Sequence, residues 1–351
     1  MSKSEPSSES FRGGDVRLGW TTVLEQRWQA AGDVRPSGRI TRLDRGWSSV
    51  SYSPGDEPVR VRNIGADVAV GDWVIVSDDH ERVETILERS SAFTRRASFE
   101  GNRAVSQTIA ANIDVVVLIH ALTLPPNQRR LERELVLAFD SGARPAIVLT
   151  KRDLVEAESA DASISALEAV AAGVPVLCAS GVSGEGVEAL RALVGGNETM
   201  ALLGASGVGK STLVNALTGR LAQRVGDVRE GDQRGRHTTT AVELVALPGG
   251  HGWLIDTPGV RAVSLWSSGR GIEWAFDDVF TLAERCRFRD CKHEEEPGCA
   301  VTGAITKGTL DARRLDALKR LVAEELALEE EQRAWEKAQD RRGVRKVKPR
   351  Q

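Results

Sequence analysis

Residues 204–211 constrain the fold of this chain more than any other stretch. Their sequence, GASGVGKS, matches the phosphate-loop pattern G-x-x-x-x-G-K-[ST], in which glycines let successive backbone N–H groups point at an anion. The preceding TMALL is apolar like a buried strand, and the following TLVNALTG has the character of a helix. A strand, a glycine loop and a helix in this order predict an α/β domain that binds a nucleotide phosphate.

The loop also carries side chains that suit a nucleoside triphosphate. Lys210 can reach the β and γ phosphates, and the hydroxyl of Ser211 can contact Mg²⁺. Because backbone and side chains of the whole loop line such a site, we expect nucleotide contacts from Gly204, Ala205, Ser206, Gly207, Val208, Gly209, Lys210, Ser211 and Thr212.

The stretch TKRD at residues 150–153 follows the apolar strand AIVL and predicts a loop that reads a nucleotide base. An aspartate carboxylate accepts two hydrogen bonds from guanine, whereas adenine lacks this pair of donors, so Asp153 would select GTP over ATP. The stretch SGVSGEG after the next strand could hold the base oxygen through its backbone. We therefore expect this part of the nucleotide site to be formed by Thr150, Lys151, Arg152, Asp153, Ser180 and Gly181.

The commonest form of the base-reading loop is N-K-x-D, and Thr150 departs from it. A threonine hydroxyl can still donate a hydrogen bond to a neighbouring loop, so we expect guanine selectivity to survive. Taken alone, a four-residue match is weak, and the competing interpretation is a surface turn.

A switch segment is predicted downstream of the phosphate loop. In DTPG, Asp256 could hold Mg²⁺ through water, and Gly259 could offer a backbone N–H to a γ-phosphate. The earlier stretch RGRHTTT contains Thr238, Thr239 and Thr240. One of these threonines is expected to contact Mg²⁺ and the γ-phosphate, and the sequence leaves open which one.

The residue after DTPG bears on catalysis. Many GTPases have a water-orienting glutamine there, but this chain has Val260, which cannot hold water by hydrogen bonding. We therefore expect slow hydrolysis, with His237 as the candidate for orienting the water; the alternative is that His237 contacts only solvent or RNA.

The base-reading loop precedes the phosphate loop in the chain, the reverse of the usual order. Ligands bind at the carboxyl ends of parallel strands, and that edge is defined in space and not by chain order. Because native termini often lie close together, a domain can be joined there and cut elsewhere. The sequence therefore predicts a circularly permuted α/β nucleotide-binding domain.

A second chemical cluster lies near the C-terminus in CRFRDCKHEEEPGC, with the spacing C-x4-C-x-H-x5-C. Three thiolates and one imidazole are a donor set for a closed, structural zinc site. The competing interpretation is a set of free buried cysteines with an unrelated histidine. We expect one structural Zn²⁺ ion bound by Cys286, Cys291, His293 and Cys299.

Composition narrows the remaining choices. The net charge is −3, so any surface for nucleic acid must be local, and four cysteines without a secretory pattern favour a cytoplasmic protein. The longest apolar run, IDVVVLIHALTL, is too short to span a membrane, so no membrane contact is expected. Short alternating strands between residues 35 and 97 fit a small β-barrel of the OB type, or another small β module.

These patterns together predict a multi-domain chain. We expect a disordered tail at 1–34, an OB-fold at 35–97 and the permuted domain at 98–265. A zinc-binding helical module at 266–330 is expected to precede a charged helix end and basic tail at 331–351.

With these motifs assembled, the chain resembles the RsgA family, the ribosome small-subunit-dependent GTPases A. The resemblance covers roughly residues 35–325 and includes FTRRASFEGNRAVSQTIAANIDVVVLIHA, the permuted order of loops and the segment CRFRDCKHEEEPGCAV. It implies a monomeric GTP hydrolase that uses GTP, GDP and Mg²⁺. It also implies binding to the small ribosomal subunit and its rRNA, a role in late maturation of that subunit, and stimulation of hydrolysis by it.

Two other functions remain open at this point. The first is a P-loop ATPase or kinase, against which Asp153 argues. The second is a GTPase switch that regulates a non-ribosomal partner. Local basic stretches, including RRGVRKVKPR at residues 341–350, favour contact with RNA over a merely solvated surface.

Overall fold

The computed structural model describes residues 12–44, 46–63, 67–96, 106–171, 173–219, 242–256 and 270–345. Five short strands form the first unit: β1 (Gly38–Asp44), β2 (Trp47–Ser51), β3 (Val59–Arg62), β4 (Trp73–Val76) and β5 (Val83–Ile86). Strand β1 pairs antiparallel with both β2 and β4, β2 pairs with β3, and β4 pairs with β5. A parallel bridge between Arg62 at the end of β3 and Arg82, just before β5, closes the barrel. This is the five-stranded barrel expected of an OB-fold, so that prediction is confirmed.

The expectation of a disordered tail at 1–34 is wrong for the part of it that the structure describes. Residues from Arg12 onward form a short 3-10 turn (Val16–Leu18) and helix α1 (Thr22–Ala30), which Thr21 caps through the N–H of Leu24. Side chains of this segment pack against barrel residues Trp73 and Ile75, and the buried apolar ones are Leu18, Trp20, Leu24 and Trp28. Residues 1–11 lie outside the described part.

The physical reason for this correction is burial of aromatic surface. Trp20, Leu24 and Trp28 recur every four residues, which places them on one side of the segment and against the barrel. The rings of Trp20 and Trp73 meet edge to face with centroids 4.8 Å apart. The Trp20 indole N–H donates to the buried carboxylate of Glu25, 2.8 Å away.

A hairpin of β6 (Ala92–Arg96) and β7 (Ser106–Ala111) connects the barrel to the second unit. That unit contains β8 (Val115–Ala121), β9 (Arg144–Thr150), β10 (Val176–Cys178), β11 (Thr199–Gly204), β12 (Val242–Ala246) and β13 (Trp253–Asp256). Their spatial order is β10-β9-β8-β11-β13-β12, with the first five strands parallel and β12 antiparallel to β13.

Helices cover both faces of this sheet: α2 (Gln128–Asp140), α3 (Ala157–Glu168), α4 (Val187–Arg191) and α5 (Lys210–Thr218). Every residue of β8 is buried, as the continuous apolar run predicted. Val116 and Leu118 share one core with Leu131 and Leu135 of α2, whereas Ile119 belongs to a second core on the other face. The phosphate-loop strand β11 therefore lies between strands that precede and follow it in the chain, which is the permuted arrangement.

The barrel and the α/β sheet are joined by main-chain pairing. Strand β12 pairs antiparallel with β1, in the register Arg42 to Glu243 and Leu43 to Val242. A fully buried guanidinium adds to this junction: Arg39 of β1 donates to the carbonyl oxygens of Leu18 and Asn112 and, at 2.7 Å, to the Thr199 hydroxyl at the start of β11.

The C-terminal part is helical, with α6 (Arg270–Ala275), α7 (Asp277–Ala283), α8 (Ala300–Thr306) and the long α9 (Ala312–Arg345). The boundary expected at residue 330 falls inside α9. Helix α6 crosses α2 closely at Gly271, where a Cβ atom would lie 2.3 Å from the Val136 carbonyl oxygen. Within the described residues, no helix combines the length and hydropathy required to cross a membrane.

Candidate functional site

The phosphate-loop residues occupy the carboxyl edge of the sheet. The loop starts where β11 ends at Gly204 and leads into α5 at Lys210. Gly209 has a φ of 100°, a conformation that glycine adopts without steric cost. The Lys210 ammonium folds back and donates to the Gly204 carbonyl oxygen at 2.8 Å. The loop therefore forms a closed turn whose N–H groups and lysine lie at the start of a helix, where an anion binds favourably.

Thr150 joins the predicted base-reading loop to the phosphate loop. It ends β9, is buried, and has its hydroxyl in hydrogen-bond contact with the carbonyl oxygen of Val208. The same hydroxyl lies 3.1 Å from the His120 carbonyl oxygen on β8. A threonine in place of the usual asparagine thus makes the expected contact with a neighbouring loop.

The next residues leave the strand in a tight turn. Lys151 adopts a left-handed conformation with a φ of 62°, and the 3-10 turn Arg152–Leu154 follows. The Lys151 stem runs beside the phosphate loop, since a Cβ on Gly209 would lie 3.9 Å from Lys151 Cε. Asp153 is exposed at the same edge. Arg152 instead turns toward the protein, where it donates to the Val155 carbonyl oxygen at 2.6 Å.

The third loop, after β10, rests on the first turn of α5. Ser180 is fully buried, and its hydroxyl oxygen accepts hydrogen bonds from the N–H groups of Val182 and Ser183 at 3.1 and 3.0 Å. A Cβ on Gly181 would lie 2.8 Å from the backbone of Thr212, so only glycine fits this approach. Loops that are far apart in the chain therefore meet around the start of one helix, as the permuted order predicted.

Asp256 ends β13, the strand beside β11, and so lies at the same edge of the sheet. The other residues predicted for the switch segments and for catalysis are outside the described part of the chain: His237, Thr238, Thr239, Thr240, Gly259 and Val260.

The Cys/His cluster comes together as the spacing predicted. The ligand atoms of Cys286, Cys291, His293 and Cys299 all lie within 4.8 Å of one another. Sγ of Cys286 lies 3.8 Å from Sγ of Cys299 and 3.6 Å from Nδ1 of His293. A tetrahedral ion with bonds of about 2.3 Å to sulfur separates two sulfur ligands by about 3.8 Å, so the cluster could hold a metal ion.

The backbone around the cluster supports this geometry. The N–H of Ala300 lies 3.3 Å from Cys286 Sγ, and that of Thr302 lies 3.4 Å from Cys299 Sγ. The carboxylate of Glu296 accepts from the N–H groups of Lys292 and Glu294, both at 2.8 Å, which are the residues on either side of His293. Such contacts orient the ligands before any ion binds.

Two thiols of the cluster titrate in opposite directions. Burial acts to raise the pKa of Cys299, but hydrogen bonds from Thr302 and His293 outweigh it and lower that pKa to about 6. Burial raises the pKa of Cys291 to about 12. Without an ion, these shifts leave Cys299 as a thiolate and Cys291 as a neutral thiol at neutral pH. A metal ion binds thiolates, so its binding here would release the proton of Cys291.

Sequence reasoning missed a buried polar network beside the phosphate loop. A cavity of about 560 Å³ lies there, bordered by Val208, Leu149 and His120 among others. His120 Nε2 lies 2.9 Å from the buried carboxylate of Glu134, which also pairs with Arg130. The sequence feature that could have indicated this network is the presence of two glutamates, Glu132 and Glu134, among the apolar residues of LERELVLAF.

Comparison with known proteins agrees with this geometry. Residues 86–266 match the family profile described as RsgA GTPase. The "Small ribosomal subunit biogenesis GTPase RsgA" of Streptomyces coelicolor is 44% identical over 301 residues, which cover 82% of this chain and 80% of that protein. The chain belongs to the RsgA GTPase family.

Other members and solved structures extend the match. An RsgA protein of Methanosarcina acetivorans is 37% identical over 314 residues, covering 87% of this chain and 84% of that one. The crystal structure of YloQ, described as a circularly permuted GTPase, superposes with a TM-score of 0.60 at 26% identity, over 83% of this chain and 95% of YloQ. YjeQ of Thermotoga maritima shares the fold, with a TM-score of 0.62 at 24% identity over 83% and 98% of the two chains.

The RsgA GTPase profile ends at residue 266, so it spans all three loops and Asp256 but stops before the Cys/His cluster. The family assignment and the cluster are therefore separate observations.

Proposed function

We propose that this protein hydrolyses GTP to GDP and phosphate, binds the small ribosomal subunit and assists its late maturation, with the subunit stimulating hydrolysis. The observation that supports the proposal is the contact of Thr150 with Val208, which joins the loop after β9, our candidate for reading the base, to the phosphate loop. Membership of the RsgA GTPase family, whose curated members are named for biogenesis of the small ribosomal subunit, supplies the partner.

The site divides into a base end and a phosphate end. The carboxylate of Asp153 accepts the two guanine donors, with Lys151 lying along the base and the backbone of Ser180 and Gly181 near the base oxygen. At the other end, backbone N–H groups of the phosphate loop surround the phosphates, and Lys210 neutralises the β and γ oxygens.

Magnesium fits the hydroxyl and carboxylate oxygens that the site presents. When bound, it would offset the negative charge that develops on the phosphates. Ser211 would contact it directly and Asp256 through water. One threonine of the RGRHTTT stretch, Thr238, Thr239 or Thr240, and the N–H of Gly259 would respond to the γ-phosphate. His237 is our candidate for orienting the attacking water, because Val260 cannot do so.

The donor set of the Cys/His cluster suits zinc. Three cysteine thiolates and one histidine fill all four positions of a tetrahedral ion and leave none open for substrate. We therefore assign one structural Zn²⁺ ion to this cluster, which would stabilise the C-terminal module.

The proposed localisation and RNA contacts follow from the small ribosomal subunit as the partner. The protein would act in the cytoplasm as a monomer and contact rRNA through the barrel and local basic segments. In the barrel, Trp47 lies under the guanidinium groups of Arg60 and Arg62, at 5.0 and 5.2 Å, a composition that suits nucleic acid.

The decisive experiment is co-sedimentation of the full chain with purified small subunits, with a non-hydrolysable GTP analogue, with GDP and without nucleotide. We expect the analogue to favour co-sedimentation and the subunit to raise the rate of phosphate release. Hydrolysis without any subunit dependence would instead support a GTPase switch with a non-ribosomal partner. Displacement of bound fluorescent GDP by ATP as readily as by GTP would support an ATPase or kinase.

A further inference from the structure

Helix α2 carries two buried glutamates that point in opposite directions. Glu132 and Glu134 are both more than nine-tenths buried. Because residues two apart on a helix are rotated by about 200°, one carboxylate faces the sheet and the other faces the C-terminal helices. Buried charges are costly unless they are paired, so the partners of these two residues define what α2 holds together.

The first carboxylate connects α2 to the phosphate loop. Glu134 pairs with His120, whose own carbonyl oxygen lies 3.1 Å from the hydroxyl of Thr150. That hydroxyl also contacts Val208 in the phosphate loop. The side chains of Glu134, His120 and Thr150, together with the main-chain carbonyl group of His120, therefore connect α2 to the backbone that would surround the nucleotide phosphates.

The second carboxylate connects α2 to the C-terminal helices. Glu132 lies 3.3 Å from a terminal nitrogen of Arg314, and both side chains are only 4% exposed. The same guanidinium pairs with Asp278 of α7 at 3.0 Å and donates to the Ala275 carbonyl oxygen at the end of α6. It also stacks 4.2 Å from the ring of Phe276. Arg314 of α9 thus contacts three other helices, α2, α6 and α7.

We propose that Arg314 is a positioning residue for the nucleotide site. It fixes α2 against the C-terminal helices, and α2 in turn fixes the phosphate loop through Glu134 and His120. A displacement of α2 would separate at least one buried charged pair, which is strongly unfavourable. Movement of the C-terminal module is therefore transmitted to nucleotide affinity through this helix, independently of the switch segments.

This inference rests on the proposed GTPase activity, and the two fail differently. If the wild-type chain bound no guanine nucleotide, the proposed function would be wrong. If the wild type bound GTP and GDP normally but Arg314 had no influence on them, only the inference would be wrong.

The test uses the full zinc-loaded chain and compares Arg314→Met with Arg313→Met. The control is adjacent in sequence, but Arg313 is 78% exposed, and among the described residues its ion-pair partner is nearby Asp311. We expect Arg314→Met to weaken binding of fluorescent GDP and raise the KM for GTP about three- to tenfold, with a smaller change in kcat, while Arg313→Met stays within about twofold. Zinc content and helical circular dichroism would show that both variants are folded.

A double-mutant cycle separates positioning from general destabilisation. His120→Met cuts the contact between α2 and the sheet edge. In that background Arg314→Met should change GDP affinity less than about twofold, because the path is already broken. Additive effects of the two substitutions, or an unchanged GDP affinity in folded Arg314→Met, would overturn the proposal.

A milder pair of variants covers the case in which Arg314→Met does not fold. Arg314→Lys keeps the charge but loses the fork that reaches Glu132 and Asp278 together, and Glu132→Gln keeps the shape but loses the charge. Each should weaken GDP binding in the wild-type background and have no further effect in the His120→Met background. Equal effects in both backgrounds would contradict the positioning role.

Discussion

Thr150 connects two loops through a single hydroxyl group. That hydroxyl has one hydrogen and contacts two carbonyl oxygens, those of Val208 and His120. An asparagine side chain would offer two N–H donors at the same place, whereas threonine makes the connection with one donor hydrogen. The contact is nevertheless buried, where an unpaired carbonyl oxygen is costly.

Replacing Thr150 by valine removes this hydroxyl while keeping the shape of the side chain. Because a buried carbonyl oxygen loses its donor, we expect the free energy of unfolding to fall by about 1–3 kcal/mol and GDP to bind about tenfold more weakly. Urea unfolding and titration with fluorescent GDP measure the two effects. Thr150→Ser, which retains the hydroxyl, is the matched control, and equal GDP affinities of the valine and serine variants would contradict the prediction.

Glu132 makes stability depend on pH. Burial raises the pKa of Glu132 above its ordinary value of 4.5, and the nearby charges of Arg314 and Arg320, which lower it, do not fully compensate; Asp278 adds to the increase. The folded state therefore binds this proton more tightly than the unfolded state.

The sign of the pH effect follows from that difference in proton binding. As pH rises from about 4.5 through the raised pKa, the contribution of Glu132 to the free energy of unfolding should fall. Glu132→Gln removes this contribution, so the stability difference between variant and wild type should shift in favour of the variant with rising pH. Urea unfolding of both proteins at a series of pH values tests this, and parallel curves would exclude it.

The N-terminal helix shows how an element is stabilised by the surface that it covers. Helix α1 has nine residues, too few to persist alone in water. Its side chains Leu24 and Trp28 are buried against Trp73, whereas Val23 on the other face is 49% exposed. The helix therefore exists because the barrel offers an apolar surface to its buried face.

The Cys/His cluster joins two short helices of the C-terminal part. It links the end of α7 to the start of α8 through ligands within one loop, and the cluster residues pack against the main core. A metal ion there would bind the folded state and so stabilise it.

Cys286→Ser should remove the zinc that we assign to this cluster. We expect zinc content to fall from one ion per chain to nearly none, and the C-terminal helices to unfold at lower urea concentration, because a structural ion contributes directly to folding. Elemental analysis and unfolding by circular dichroism measure this. The control is Cys178→Ser in β10, which lies outside the cluster; a normal zinc content in Cys286→Ser would refute the assignment.

Across the whole molecule, the barrel and the α/β sheet form one connected structure. Strands β1 and β12 pair across the junction, and Arg39 bonds to groups from the N-terminal segment, the β7–β8 connection and β11. Burial lowers the pKa of Arg39 to about 10, so the guanidinium remains charged at neutral pH. Its hydrogen bonds therefore compensate the removal of this charge from water.

Arg39→Met should weaken the junction between these units. Loss of the buried donor leaves several oxygens unpaired, so we expect the free energy of unfolding to fall by about 3–5 kcal/mol. Calorimetry should show the barrel and the α/β unit unfolding in separate steps. The control is Arg60→Met, because Arg60 lies on β3, at the far end of the strand order β12-β1-β2-β3, and is exposed; a single unchanged transition in Arg39→Met would contradict the expectation.

Several local features of this protein could be predicted from its amino-acid sequence. Glycine spacing in residues 204–211 predicts a tight turn before a helix, the spacing of three cysteines and a histidine suits one metal ion, and a continuous apolar run predicts the buried strand β8. These features depend on residues close together in the chain, where backbone conformation and side-chain donors act over short distances. The family resemblance rested on the same local motifs.

The long-range contacts required the folded chain. The docking of α1 on the barrel, the hydroxyl of Thr150 against Val208, and the pairing of Glu132 with Arg314 each join residues between about 50 and 180 positions apart. Whether such groups pair depends on which surfaces lose water together, and sequence pattern carries no measure of that. Residue types and spacing therefore defined the chemistry available, and packing in three dimensions decided which of these groups act on one another.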